Sequence, residues 1–217
     1  MAKKLKKSFF IVLDGPEGSG KSSIARRLAA DLGEMGFKVL LTSEPGGMRL
    51  GSMIREILLH KKEISLAAEA ELLLFEADRA QHVKEVILPA LADGKAVICD
   101  RFSAATMAYQ GYGRGMDKKL IQMVDAFATG GLVPDLTVIL DVDPETGLSR
   151  VRKVRATDKM ERLGMQFHKK VRKGFLEVAR KSRGRVKVVD SSGALEKAYC
   201  GTRELVYDLI KGHKRTE

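Results

Sequence analysis

The 217-residue sequence contains few cysteines and no apolar run long enough to cross a membrane. Its two cysteines, Cys99 and Cys200, lie far apart in unlike surroundings, so they predict neither a disulfide framework nor a metal cluster. A membrane helix needs about 18 consecutive apolar residues, and no such stretch occurs. We therefore expect a chain of a reducing compartment, the cytoplasm, with no membrane partner.

An export signal of the usual kind is also missing. Residues 1–7 are rich in lysine, but the apolar run behind them, Phe9 to Leu13, ends at Asp14 after five residues. A signal peptide has a longer apolar region, so this run predicts a strand. We interpret residues 1–7 as a solvated basic tail.

Internal repeats, low-complexity tracts and linkers rich in proline or serine are absent from the sequence as well. With 44% hydrophobic and 31% charged residues, the composition is that of an ordinary globular protein. We interpret residues 1–217 as a single domain.

Short β-branched segments alternate with helical patterns along the chain. Continuous apolar strands joined by helices are typical of a parallel sheet that is covered by helices on both faces. The predicted fold class is therefore α/β, with a five-stranded parallel sheet. The predicted strands are Phe9 to Asp14, Lys38 to Thr42, Ala96 to Asp100, Leu136 to Val142 and Val186 to Asp190.

Directly after the first predicted strand, residues 15–22 match the phosphate-binding pattern G-x-x-x-x-G-K-[ST]. Glycines let such a loop direct backbone N–H groups at phosphates, and the following helix adds its positive N-terminal end. Lys21 would reach the β- and γ-phosphates of ATP, and Ser22 would help to hold Mg²⁺. This pattern alone does not separate kinases from ATPases, GTPases and motors. The predicted ATP-binding residues of the loop are Gly15, Pro16, Glu17, Gly18, Ser19, Gly20, Lys21, Ser22 and Ser23.

The net charge of +11 is unevenly distributed. Between Arg150 and Lys173 there are ten basic and two acidic residues, a local charge of +8. Such a segment is compatible with a phosphate-binding lid, a nucleic-acid patch or a solvated helix face. Its position in the chain must decide among them.

Four further segments carry a resemblance to a known family: Asp100-Arg101-Phe102, Glu44-Pro45-Gly46-Gly47, residues 74–82 (LFEADRAQH) and Pro134-Asp135-Leu136-Thr137. Together with the phosphate loop, these segments resemble bacterial thymidylate kinase, in order from about Phe9 to Phe175. The resemblance implies a three-layer P-loop fold with a short mobile lid. It also implies transfer of the γ-phosphate of ATP to dTMP, Mg²⁺ as the metal, and a homodimer.

The resemblance also implies roles for residues of the acceptor site. Arg101 would bind the acceptor phosphate, Asp100 would lie near Mg²⁺, and Arg79 would bond a base carbonyl. From the residues alone, Phe75 fits a core position as well as a base platform, and Asp100 with Arg101 fits a structural pair. The expected acceptor-binding residues are Glu44, Phe75, Arg79, Arg101, Thr106, Tyr109 and Gln110.

The transfer step requires positive charge around the moving phosphate. In the family that the sequence resembles, the extra arginine comes either from the phosphate loop or from a mobile lid. Because the loop has no arginine at Gly18 or Ser19, the resemblance implies that the basic segment 150–160 is the lid, and Arg150 is expected at ATP. Glu17 is expected to face the acceptor, because a carboxylate beside three phosphates is unfavourable. The candidate catalytic residues are Glu17, Lys21, Arg101, Arg152 and Arg155, and the sequence leaves the choice between Arg152 and Arg155 open.

Several positions depart from the family pattern. Ser43, Met48 and Ala105 stand where the family carries arginine, threonine and serine, and Asp158-Lys159-Met160-Glu161 stands where it commonly has Asp-Arg-x-Glu. Two alternatives therefore stay open: a kinase for another nucleoside monophosphate, and a basic P-loop ATPase that acts on nucleic acid. Because the basic segment is assigned to a lid over ATP, we expect no nucleic-acid partner.

Overall fold

A parallel sheet forms the centre of the computed structural model, which describes residues 8–61 and 63–214. The predicted basic tail, residues 1–7, lies outside the described residues. The strands are β1 (Phe9–Asp14), β2 (Val39–Ser43), β3 (Ala96–Asp100), β4 (Leu136–Asp141) and β5 (Val186–Asp190). Their order is β2-β3-β1-β4-β5, and every pairing is parallel. The predicted five-stranded parallel sheet is confirmed.

Helices connect successive strands. They are α1 (Lys21–Glu34), α2 (Arg49–Arg55), α3 (Ala68–His82), α4 (Leu88–Ala92), α5 (Ser103–Thr106), α6 (Lys118–Thr129), α7 (Pro144–Arg152), α8 (Met165–Lys181) and α9 (Leu195–Lys214). Three π-helical turns lie at Glu56–His60, Val83–Ile87 and Met107–Gly113. No helix within the described ranges is long and apolar enough to span a bilayer.

Side chains of β1 alternate between two cores, which shows why helices cover both faces of the sheet. Phe9, Ile11 and Leu13 pack into the core formed with α1 and α9. Phe10 and Val12 pack into the core formed with α4 and the π-helical turn before it. Burial of each such side chain contributes about 1.5–3 kcal/mol, so a strand that is apolar at every position belongs between two helical layers. The predicted three-layer arrangement is confirmed.

The strand order brings three loops to one edge of the sheet. β1 lies between β3 and β4, and Leu13 of β1 is paired with Asp100 of β3. Ser43 at the end of β2 is paired with the same Asp100. In open parallel sheets, ligands bind outside the carboxyl ends of the strands where the strand order reverses. The phosphate loop and the Asp100-Arg101-Phe102 segment meet at this place.

Candidate active site

A cleft of about 670 Å³ lies beyond the carboxyl ends of β1, β2 and β3. This volume is typical of small-molecule sites, which measure about 300–1,000 Å³. The cleft brings together residues from both halves of the chain. Among the residues predicted from the sequence, it is lined by Glu17, Gly18, Gly20, Lys21, Ser22, Ser23, Glu44, Phe75, Arg79, Asp100, Arg101, Thr106, Tyr109, Gln110 and Arg155.

Lys21 is the first residue of α1, and its ammonium is held by the loop that precedes it. The Nζ atom donates to the carbonyl oxygens of Pro16 and Gly15 at 2.7 and 3.0 Å, and to the Ser19 hydroxyl at 3.2 Å. Burial and the nearby Arg101 charge together lower the pKa of Lys21 to about 8, although Glu17 and Asp100 oppose the shift. Three loop oxygens therefore accept hydrogen bonds from the Lys21 ammonium, which can exchange them for phosphate oxygens.

Glycine at position 18 is required by the close approach of α7. Its φ is 67°, and a Cβ atom there would lie 2.0 Å from the carbonyl oxygen of Gly147. A Cβ atom on Gly147 would in turn lie 2.1 Å from the carbonyl oxygen of Glu17. The loop and α7 thus meet backbone to backbone, and a side chain at either glycine would separate them. This packing places the basic end of α7 beside the phosphate loop.

Ser22 and Asp100 form the pair that the sequence assigned to a metal. The Ser22 hydroxyl donates to Oδ2 of Asp100 at 2.5 Å, and both residues line the cleft beside the phosphate loop. Mg²⁺ prefers carboxylate and other oxygen ligands and keeps several waters. One hydroxyl and one carboxylate at an open cleft therefore fit Mg²⁺.

Arg101 joins the phosphate loop to the acceptor side of the cleft. Its Nη2 atom donates to Oε1 of Glu17 at 2.7 Å and to the Tyr109 hydroxyl at 3.2 Å, and Nη1 donates to the Gly15 carbonyl at 3.3 Å. The Tyr109 hydroxyl donates to the same Glu17 oxygen at 2.5 Å. Burial alone would raise the pKa of Glu17, but the charges of Arg101 and Lys21 outweigh it and lower that pKa to about 2. The carboxylate is ionised, and it keeps the Arg101 guanidinium at the mouth of the phosphate loop.

Asp14 fixes the turn that carries Arg101, and the sequence did not predict this role. Arg101 has a φ of 76°, an uncommon conformation for a residue with a Cβ atom. The fully buried Asp14 carboxylate accepts hydrogen bonds from the backbone N–H groups of Phe102 (3.3 Å), Ala105 (3.1 Å) and Gly15 (3.2 Å). Burial raises the pKa of Asp14 to about 6 although Arg101 and Lys21 oppose the shift. These bonds stabilise the strained turn.

At the other end of the cleft, Arg79 is only 2% exposed and is surrounded by acids. Nε donates to Glu44 at 2.9 Å, and Nη1 donates to Glu76 at 2.5 Å and to Asp125 at 3.0 Å. The Thr106 hydroxyl lies 2.8 Å from Nη1. Burial and the neighbouring Asp125 and Glu44 raise the pKa of Glu76 to about 7, although the Arg79 charge lowers it.

Three other predicted acceptor residues, Phe75, Glu44 and Gln110, line the same cleft as Arg79. Phe75 is half-buried, lines the cleft and also packs against a core cluster, so it meets both interpretations that the sequence allowed. Glu44 binds Arg79 with one oxygen and the His82 ring at 2.9 Å with the other. Gln110 lines the cleft with its amide nitrogen 3.0 Å from Glu71.

A second cleft of about 410 Å³ shares Gly18, Gly20 and Ser23 with the first cleft, and Arg150 lines it. The Arg150 guanidinium donates to the carbonyl oxygens of Ser191 (2.7 Å), Ser192 (2.6 Å) and Gly193 (3.0 Å). It therefore ties α7 to the loop between β5 and α9. Ser191 and Gly193 of this loop line the second cleft, together with Gly18 and Gly20 of the phosphate loop.

The two candidate lid arginines, Arg152 and Arg155, have different surroundings in the structure. Arg152 is exposed at the end of α7 and lines neither cleft. Arg155 lines both clefts and donates two hydrogen bonds to the buried Glu161, at 2.5 and 3.0 Å. Nearby, the Lys159 ammonium donates to the carbonyl oxygens of Ile64 and Lys61. The segment after α7 is thereby connected to the loop after the first π-helical turn.

Sequence reasoning missed several residues of the site. Asp14, Glu76 and Asp125 hold the two acceptor arginines, and Arg55 lines the cleft and donates to the Pro45 carbonyl at 2.8 Å. Asp14 carried a signal, because an acid at the end of an otherwise apolar buried strand needs a partner. The other three lie on helices, and each is one of many charged helix residues that look alike in the sequence.

Comparison with known proteins agrees with this geometry. A family model described as "Thymidylate kinase" matches residues 13–199. Thymidylate kinase of Syntrophotalea carbinolica is 47% identical over 195 residues, which is 87% of this chain and 90% of the relative. Thymidylate kinase of Pelotomaculum thermopropionicum is 43% identical over 214 residues, with 96% and 99% of the two chains covered.

A solved structure is similar as well. The crystal structure of thymidylate kinase from Ehrlichia chaffeensis superposes with a TM-score of 0.76 at 34% sequence identity. The match covers 93% of this chain and 99% of that chain. The similarity thus extends over the whole sheet and both halves of the cleft.

Proposed function

Because this chain belongs to the thymidylate kinase family and is a nucleoside monophosphate kinase, we propose that its cleft binds dTMP and ATP end to end. The observation that carries the proposal is the Arg101–Glu17–Tyr109 cluster, which lies between the phosphate loop and Arg79. On one side of the cluster lies a phosphate cradle with Lys21. On the other side lies a half-buried aromatic residue, Phe75, with an arginine beside it.

In this arrangement the phosphate loop binds the triphosphate, and Lys21 exchanges its three loop oxygens for phosphate oxygens. Arg101 binds the phosphate of dTMP, because a guanidinium offers two parallel donors to a phosphate. The ionised carboxylate of Glu17 and the hydroxyl of Tyr109 hold Arg101 in place before the acceptor arrives. Phe75 lies against the thymine ring, and Arg79 donates to its carbonyl edge. Thr106 and Gln110 complete that end of the site.

Phosphoryl transfer then depends on alignment and on charge. The attacking phosphate oxygen of dTMP must lie in line with the γ-phosphate of ATP, and arginines must stabilise the charge spread over the transferred group. Arg155 is the lid residue we assign to this task, because it lines the cleft at the phosphate loop. Glu161 orients its guanidinium.

We propose Mg²⁺ as the metal. Ser22 and Asp100 would hold it, since they supply adjacent oxygen ligands beside the phosphate loop. When bound, Mg²⁺ neutralises part of the charge on the phosphate oxygens. The protein side chains keep their roles in binding and orientation.

We also propose that the protein acts as a homodimer in the cytoplasm. Exposed apolar residues cluster on helices that pack side by side, since α3 contacts both α2 and α6. Phe127 and Met123 are 89% and 70% exposed, and Met53 and Leu73 are also exposed. Exposed apolar residues on neighbouring helices are typical of a protein interface.

The test of the acceptor assignment is a direct assay with ATP, Mg²⁺ and each nucleoside monophosphate in turn. We expect dTMP to give the highest kcat/KM, with little ATP hydrolysis in its absence. Faster turnover of another monophosphate would refute the dTMP site. ATP hydrolysis stimulated by DNA or RNA would instead support the nucleic-acid alternative.

A further inference from the structure

Most of the Arg79 guanidinium is engaged before any ligand arrives. Glu44 takes the Nε hydrogen, while Glu76, Asp125 and Thr106 present oxygens to Nη1 at 2.5, 3.0 and 2.8 Å. Within residues 8–61 and 63–214, Nη2 has no hydrogen-bond acceptor. The guanidinium therefore offers the cleft one free amino group with two hydrogens.

The two carboxylates at Nη1 hold it from different elements. Nη1 has two hydrogens, which the oxygens of Glu76, Asp125 and Thr106 share. The Thr106 hydroxyl donates its own hydrogen to Glu76. Glu76 lies three residues before Arg79 on α3, whereas Asp125 comes from α6. Held from two helices, the plane of the guanidinium has a fixed orientation.

Asp125 itself is not part of the cleft wall. Its side chain is 21% exposed, and it acts on the cleft through Arg79. On the opposite side of α6, Met123 and Phe127 face outward. The packing of α6 against α3 thus sets the position of Asp125 and, through Asp125, the position of Arg79.

We propose that Asp125, together with Glu76, is a positioning pair that sets base specificity by turning Nη2 of Arg79 toward a carbonyl oxygen at the base edge. A pyrimidine with an amino group at that position would bring donors against donors, which a buried polar site strongly disfavours. If the guanidinium could rotate away from the base, the side chains of Glu76 and Asp125 would be free to accept a hydrogen bond from that amino group. The pair therefore separates dTMP from dCMP. This inference rests on the proposed acceptor site.

The experiment compares Asp125→Asn with Asp117→Asn, a matched change on the same helix. Asp117 caps α6 with a side-chain oxygen that accepts from the backbone N–H of Lys119, and asparagine keeps that bond. The readouts are kcat and KM for dTMP, dCMP and ATP. For Asp125→Asn we expect the KM for dTMP to rise about fivefold to tenfold and the kcat/KM preference for dTMP over dCMP to fall about tenfold. The KM for ATP stays at the wild-type value, and Asp117→Asn behaves as the wild type.

A wild-type KM and a wild-type dTMP preference in Asp125→Asn would overturn the proposal. Equal increases in the KM for dTMP and for ATP, with an unaltered preference, would also overturn it, because they indicate a general structural role. If Asp125→Asn does not fold, Asp125→Ser is used, with the same expectations. Arg79→Ala distinguishes failure of this inference from failure of the proposed acceptor site. If Arg79→Ala leaves the KM for dTMP unchanged, the proposed acceptor site itself is wrong.

Discussion

Arg101 and Glu17 are 84 residues apart in the sequence, yet Nη2 of Arg101 lies 2.7 Å from Oε1 of Glu17. Their contact connects the turn after β3 with the phosphate loop after β1. It places a fixed positive charge at the junction of the two proposed substrate sites. The ion pair is mostly buried, so water screens it little.

Replacing Arg101 by alanine is expected to weaken dTMP binding far more than ATP binding. Loss of a buried charge-assisted contact costs about 2–5 kcal/mol, or a rise in the KM for dTMP of about 30-fold to several thousand-fold. Steady-state kinetics with each substrate varied separately measures the effect. Arg180→Ala, at an exposed arginine of α8, is the control. An unchanged KM for dTMP would show that Arg101 does not bind the acceptor.

Replacing each lid arginine by alanine distinguishes the two candidates for the catalytic arginine that the sequence left open. Arg155→Ala is expected to lower kcat about 100-fold to 1,000-fold, because Arg155 lines the cleft where charge develops. Arg152→Ala is expected to have a much smaller effect, since Arg152 lines neither cleft. Single-turnover kinetics at saturating ATP and dTMP gives the comparison. The reverse order of effects would assign catalysis to Arg152.

Glu76 makes the stability depend on pH. Its pKa is raised to about 7 in the folded protein, chiefly by burial, from an ordinary value of 4.5. Its contribution to stability is therefore complete below pH 4.5 and is lost as the pH rises through about 7. Relative to Glu76→Gln, the wild type is expected to lose up to about 3 kcal/mol of unfolding free energy between pH 5 and pH 8.5. Urea denaturation at both pH values measures this difference, and parallel pH dependences of the two proteins would contradict it.

Phe127→Glu tests the proposed dimer. A charge on the most exposed apolar side chain of α6 is expected to produce monomers, because burying an unpaired carboxylate opposes association. Sedimentation velocity at several concentrations reports the change. The control is Leu176→Glu on α8, an exposed leucine on a different helix. A wild type that sediments as a monomer would refute the dimer, and a dimeric Phe127→Glu would move the interface elsewhere.

The sequence by itself determined the features that are local. Short apolar and β-branched segments specified the five strands to within one residue, and burial of β1 on both faces explains its uninterrupted apolar run from Phe9 to Leu13. Residues 15–22 specified a loop between β1 and α1, because the pattern glycines Gly15 and Gly20 have φ values of 135° and 87° that residues with a Cβ atom rarely adopt. The start of α7 is local as well, because the Asp143 side chain accepts from the N–H of Glu145 and Pro144 occupies the first turn of the helix.

Tertiary structure decided which side chains meet. The partners of Arg79 come from positions 44, 76 and 125, and nothing in the local sequence distinguishes Asp125 from other acids on exposed helices. Arg152 and Arg155 differ only because α7 ends between them and the chain then turns toward the cleft. Sequence pattern encodes backbone conformation and burial, whereas contacts between distant charges depend on how the helices pack on the sheet.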